Sequence, residues 1–171
     1  MQHTISGIYP VVLTPFDAVD RIDWDGYARL LDWYIEHGAN GLFAVCQSSE
    51  MLFLSLEERR DLARFTVDHV KGRVPVVASG HISDSPEDQK AELRAIAETG
   101  VDAVVFVTNR FAAAGDPDGT LLTRMQDVMS ALPGDVTLGL YECPAPYRRL
   151  LSDEELKWCA GSGRFTFLKD V

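Results

Sequence analysis

The chain has 171 residues, 46% hydrophobic and 25% charged, a composition that suits one globular domain with a sizeable core and excludes a disordered or low-complexity polymer. A formal net charge of -10, spread over helix faces as a solvated acidic surface, argues against nucleic acid or an anionic membrane as partner. No run of about 18 apolar residues occurs, and Met1-Gln2-His3-Thr4 lacks the basic-then-apolar layout of a secretory signal, so a cytoplasmic protein is expected.

Short β-rich apolar runs recur roughly every 30 residues with helically spaced segments between them, the βαβ signature of a parallel sheet. The first predicted strand covers 7–13. A helix follows over 24–37, with Tyr27, Leu30, Leu31, Tyr34 and Ile35 on one stripe and Gly38 as its stop. After a strand at 41–46, Ser55-Leu56-Glu57-Glu58 forms a capping box that opens a helix carrying Leu62, Phe65, His69 and Val70 inward. A strand at 74–79 leads to a helix opened by Ser85-Pro86-Glu87-Asp88, with a serine cap and proline at the first helical position. The strand at 103–108 precedes a helix over about 118–132, with Leu122, Met125 and Met129 on one face. The strand at 136–141, a helix opened by the box Ser152-Asp153-Glu154-Glu155, and a last strand at 165–169 complete the series. Near-continuously apolar strands imply a sheet covered on both faces.

Two architectures use this pattern, an open doubly wound sheet and an eight-stranded barrel. A barrel takes about 250 residues, so length alone favours the open sheet. The dinucleotide-binding version of that sheet is disfavoured, because Val12-Leu13-Thr14-Pro15-Phe16-Asp17 contains no glycine and its proline removes a backbone donor.

The strand ends are polar and reactive: Thr14, Cys46-Gln47-Ser48-Ser49-Glu50, Thr108-Asn109-Arg110, Tyr141-Glu142 and Lys169-Asp170. In a parallel barrel these positions share one rim. Lys169 ends the run Phe165-Thr166-Phe167-Leu168. A lysine there is either emerging at a strand terminus, paired with Asp170, or an imine-forming nucleophile whose pKa an apolar pocket must lower. Tyr141 is either core or a phenol that shuttles the proton imine chemistry requires. Ser48 and Ser49 either cap a turn or donate to a substrate carboxylate. Cys46, Cys143 and Cys159 form no C-x-x-C pair and are too scattered for a disulfide framework or a zinc site; they read as reduced, buried thiols, and neither metal nor cofactor is expected.

In this order the features resemble the dihydrodipicolinate synthase and N-acetylneuraminate lyase family. The resemblance rests on the segment 7–16 with its Thr14-Pro15-Phe16 turn, the segment 38–45 followed by Ser49-Glu50 and 54–59, and Arg73-Val74-Pro75-Val76-Val77-Ala78. It continues in Leu140-Tyr141 followed by Pro144, and in Phe167-Leu168-Lys169-Asp170. It implies an α/β fold, the (β/α)8 TIM barrel, of which residues 1–171 supply about five βα units plus strand six as a partial catalytic domain. It also implies a class I lyase or aldolase in which Lys169 forms a Schiff base with pyruvate or another 2-oxo acid and Tyr141 relays protons. The substrate carboxylate would be held by the loop containing Gln47, Ser48 and Ser49, and the assembly would be a homo-oligomer, a tetramer by resemblance.

The departures from the family pattern are specific. Gln47 stands where the family has the hydroxyl that passes protons to the tyrosine. Asn109-Arg110 replaces the adjacent tyrosines of the synthases, and Pro146 stands at the position of their substrate-gripping arginine, with Arg148 and Arg149 nearby. A partner substrate other than that of the synthases is therefore expected, and a non-catalytic or regulatory barrel that kept the fold is the alternative. Five and a half units do not close an eight-stranded barrel, so the chain is expected to be a fragment or one part of a protein whose other strands reside elsewhere.

Overall fold

A computed structural model describes residues 5–113, 115–117 and 119–169. Five parallel strands, β1 (Leu42–Phe43), β2 (Val76–Ala78), β3 (Ala103–Val107), β4 (Leu138–Tyr141) and β5 (Phe165–Lys169), pair in chain order to form half of a barrel wall. Helices α1 (Trp24–Glu36), α2 (Leu56–Val70), α3 (Pro86–Ala97), α4 (Thr120–Met129) and α5 (Asp153–Gly161) alternate with them. Neighbouring helices pack in sequence from α1 to α4, while α2, α3 and α5 lie against β2, β3 and β5. Sequential pairing of this kind follows from short right-handed crossovers.

Helix starts obey local chemistry. The Ser55 and Ser152 side chains accept from the amides of Glu58 and Glu155, whose carboxylates return to the Ser55 and Ser152 amides. Ser85 caps α3 ahead of Pro86, and Asp23 caps α1 by accepting from the Gly26 amide at 2.9 Å. Each cap is worth about 1 kcal/mol. The expected start of α4 at Asp118 lies outside the described residues. That helix begins at Thr120 behind Gly119, whose φ of 81° is left-handed, and ends at Met129. Its buried stripe is Leu121, Met125 and Val128, with Leu122 and Met129 at the edge. Apolar residues at all five positions make a stripe wider than the contact, and only docking against α3 decides which line is central.

The first expected strand is reduced to one parallel bridge, Val11 to Phe43. Backbone bonds from Val12 N to Phe43 O, Phe43 N to Pro10 O and Asn40 N to Ile8 O still lay the segment along β1. Pro10 has no N–H to extend the ladder, and Ile8 and Leu13 are 71% and 52% exposed. Strands β1 to β4 are buried throughout, as two-faced strands should be, whereas β5 alternates, with Thr166 and Leu168 exposed.

A register shift at Leu138/Gly139 seats Phe167 opposite Gly139. A β-carbon on Gly139 would stand 2.2 Å from the Phe167 ring, so any larger residue there requires that ring to move. A buried ion pair fixes the loop after β2. Arg59 Nη2 lies 3.1 Å from Glu92 Oε1, its Nη1 donates to the Gly80 carbonyl, and Glu92 Oε2 accepts from the amides of Ile82 at 2.9 Å and Ser83 at 3.2 Å.

Candidate active site

Parallel pairing of β4 with β5 sets Tyr141 beside Lys169 at the carboxyl ends of adjacent strands. The Lys169 Nζ stands 4.0 Å from the centroid of the Tyr141 ring, a cation–π contact. Asp170, the other conceivable partner of Lys169, lies outside the described residues. The Tyr141 side chain is buried, with Phe43 edge-on at 6.3 Å between centroids. Burial first, and then the neighbouring thiols of Cys143 and Cys46, push the phenol pKa well above its ordinary value, so the hydroxyl is held protonated. That hydroxyl donates to Gln47 Oε1 at 3.2 Å, and the Cys143 thiol donates to the same oxygen at 3.2 Å.

Gln47 belongs to a 3-10 turn, Gln47–Ser49, that follows β1. No described residue accepts a hydrogen bond from its Nε2. Ser49 is fully buried: its hydroxyl donates to Val12 O at 2.6 Å and accepts from Cys46 N at 3.2 Å, and its amide donates to Cys46 O. The Thr14 hydroxyl donates to the Ser49 carbonyl at 2.7 Å. Ser49 and Thr14 therefore hold the loop. Ser48, in contrast, is exposed, and its hydroxyl has no hydrogen bond among the described residues. Lys169, Tyr141 and Gln47 are thus brought together, Ser48 presents a free hydroxyl on the same loop, and the Ser49 side chain turns away into the structure.

Asn109, Thr108 and Glu142 were read from the sequence as strand-end residues, but not the bonds by which they tie the loop after β4. Asn109 Nδ2 donates to the carbonyls of Cys143, Ala145 and Tyr147 at 2.9, 2.9 and 2.7 Å, and the Tyr147 hydroxyl returns to the Asn109 carbonyl at 2.7 Å. The Thr108 hydroxyl holds the Arg149 carbonyl at 2.7 Å, and Glu142 Oε1 accepts from the Leu151 amide at 2.8 Å. Asn109, in place of an aromatic residue, is therefore the tie that shapes the loop after β4, which contains the cis Ala145–Pro146 peptide. Arg148 and Arg149 face Glu142 and Glu155, with N···O distances of 3.8 and 2.7 Å.

Cys46, Cys143 and Cys159 are free and buried, as expected. Burial raises the pKa of the Cys46 thiol to about 11, against a lowering by Lys169. The position of Cys46 and Cys143 beside Tyr141 goes beyond packing; their placement directly after β1 and β4 was the only sequence signal for it. A cavity of about 270 Å³, lined by Tyr9, Phe43, Val77, Phe167 and Lys169 among others, adjoins the lysine. Among the described residues, no group of three His, Cys, Asp or Glu side chains is placed to hold a metal ion, and no helix is long and apolar enough to cross a membrane.

Residues 4–115 match the dihydrodipicolinate synthetase family. The 4-hydroxy-tetrahydrodipicolinate synthase of Pseudomonas aeruginosa is 39% identical over 104 residues, 61% of this chain and 35% of that one. The corresponding synthase of Psychrobacter arcticus is 29% identical over 167 residues, 98% of this chain and 54% of that one. Among solved structures, the dihydrodipicolinate synthase of Acinetobacter baumannii complexed with pyruvate superimposes with a TM-score of 0.85 at 25% identity, covering 98% of this chain and 56% of that one. A prophage protein of the dihydrodipicolinic acid synthase family from E. coli K12, also in complex with pyruvate, gives 0.73 at 29% identity, with 84% and 46% covered. The chain thus spans about half the length, or less, of the relatives it matches. By the extent of the family match together with these relatives, the chain belongs to the dihydrodipicolinate synthetase family.

Proposed function

We propose that this chain carries the imine-forming site of a class I lyase or aldolase acting on pyruvate or another 2-oxo acid. The observation that carries the reading is Lys169 Nζ poised 4.0 Å over Tyr141, whose hydroxyl is fixed on Gln47. As a neutral amine Lys169 leaves the ring face and attacks the C2 carbonyl, and the protonated Tyr141 phenol gives its proton to the departing hydroxyl, which leaves as water. The free Ser48 hydroxyl and the Gln47 Nε2 donors suit the substrate carboxylate, while Ser49 shapes the loop from behind. The resulting enamine serves either condensation or cleavage of a carbon–carbon bond. A homo-oligomer accords with the family and with Phe53, 84% exposed on the loop beyond the site. A cytoplasmic setting accords with three unpaired thiols.

A second reading, a non-catalytic barrel, is favoured by one feature: the Tyr141 hydroxyl donates to an amide oxygen, which cannot hand a proton on as a hydroxyl does. Exchange of the pyruvate methyl hydrogens in D2O, followed by proton NMR, separates the two. Enamine formation predicts exchange above the buffer rate that disappears in Lys169→Met, whereas exchange at the buffer rate in both proteins contradicts the lyase reading.

A further inference from the structure

The amide of Gln47 interrupts proton transfer at the hydroxyl of Tyr141, yet a second proton donor converges on the same amide oxygen. Gln47 Oε1 accepts from the Tyr141 hydroxyl at 3.2 Å and from the Cys143 thiol at 3.2 Å, one donor for each lone pair. Cys143 follows Tyr141 by two residues, is 1% exposed, and among the described residues has one further acceptor, the Ala145 carbonyl at 3.4 Å. Its backbone carbonyl is held by Asn109 at 2.9 Å, which fixes the residue against Tyr141.

We propose that the Cys143 thiol is the proton partner of Tyr141 during imine formation, in the place of the hydroxyl that Gln47 displaces. This rests on the Schiff-base reading above. Lys169 first sheds one proton to solvent and, as the neutral amine, attacks the carbonyl, whose π pair moves to oxygen; a proton then passes from the new ammonium nitrogen to that alkoxide, giving the carbinolamine. The carbinolamine C–O bond then breaks, with the hydroxyl taking the Tyr141 proton and leaving as water, while the nitrogen lone pair forms the C=N bond. The Cys143 S–H proton passes to the Tyr141 phenolate, and the thiolate recovers a proton from solvent, so that the proton shed by Lys169 is replaced. Burial first, and then the neighbouring Cys143 and Cys46 side chains, raise the Tyr141 phenol well above its ordinary value, so a phenolate formed there takes a proton back readily from a neighbouring donor. Cys143 touches no substrate; it acts through Tyr141 and is a positioning residue.

The test is the rate at which the full chain forms a borohydride-trapped pyruvate adduct, measured from about pH 6 to about pH 9.5. Cys143→Ala is expected to slow adduct formation by about 100-fold without lowering its final extent, the scale of a lost general acid. Cys143→Ser, which keeps a proton donor in the same place, is expected to recover most of the rate with an altered pH profile, because a hydroxyl replaces the thiol. Cys143→Ala at the wild-type rate across the range overturns the proposal. So does a wild-type pH profile in Cys143→Ser, which decides the matter should the alanine variant fold poorly. A wild-type protein that forms no adduct overturns the Schiff-base reading and this proposal together. A wild-type adduct with no effect of either variant overturns the relay alone.

Discussion

His81→Gln should remove a large part of the acid sensitivity of this fold. His81 is fully buried beside Phe111 and Phe106, with ring centroids 5.1 and 5.9 Å away, and its Nε2 accepts the Val107 amide at 2.5 Å, so that nitrogen carries no proton. Burial above all, and then the charges of Arg110 and Arg59, hold its pKa down to about 3 from an ordinary 6.5. The folded protein therefore keeps His81 neutral while the unfolded chain protonates it as pH falls through 6.5. Stability is intact above pH 6.5 and is lost progressively as pH falls toward about 3, at about 1.4 kcal/mol per pH unit. At about pH 5 the loss is about 2 kcal/mol. Glutamine offers an acceptor to Val107 and does not titrate. Urea unfolding at about pH 7.5 and about pH 5 should show the wild type losing about 2 kcal/mol more than the variant between the two conditions. Equal losses in the two proteins would refute the assignment of a buried neutral histidine.

Three further substitutions follow from the packing. Arg59→Met leaves the Glu92 carboxylate buried without its cation and should cost about 3–5 kcal/mol by chemical denaturation; a loss below about 1 kcal/mol would show that the pair is not desolvated. Gly139→Ala drives a methyl into the Phe167 ring and should cost about 1–3 kcal/mol in the same assay, with slower adduct formation because β5 carries Lys169; unchanged stability would mean that β5 shifts freely. Asn109→Ala removes the donor shared by the carbonyls of residues 143, 145 and 147, so amide exchange across 143–151 should accelerate by mass spectrometry, whereas an unchanged exchange pattern would deny Asn109 its role as the tie of that loop.

The helix starts were legible because capping is local: Ser55 with Glu58, Ser85 with Pro86 and Ser152 with Glu155 are decided within a few residues. Lys169 and Tyr141 were legible as strand ends, and one parallel pairing step suffices to bring them together. What was not legible depends on partners distant in sequence. Ser49 reads as a second carboxylate donor until its hydroxyl meets Val12, 37 residues away. Cys143 reads as a core thiol until it meets Gln47 across 96 residues. The ladder expected at 7–13 fails at Pro10 for a local reason that its apolar pattern masks, and the contrast between buried β4 and half-exposed β5 depends on what lies beside each strand, not on the residues within it.

Reduction by borohydride in the presence of pyruvate, followed by peptide mass mapping, is the most direct measurement. A single reduced adduct on the peptide that carries Lys169, absent in Lys169→Met and absent without pyruvate, is the result predicted for the imine-forming site. An unmodified Lys169 in a folded protein, or adducts scattered over the surface lysines with none there, would contradict it.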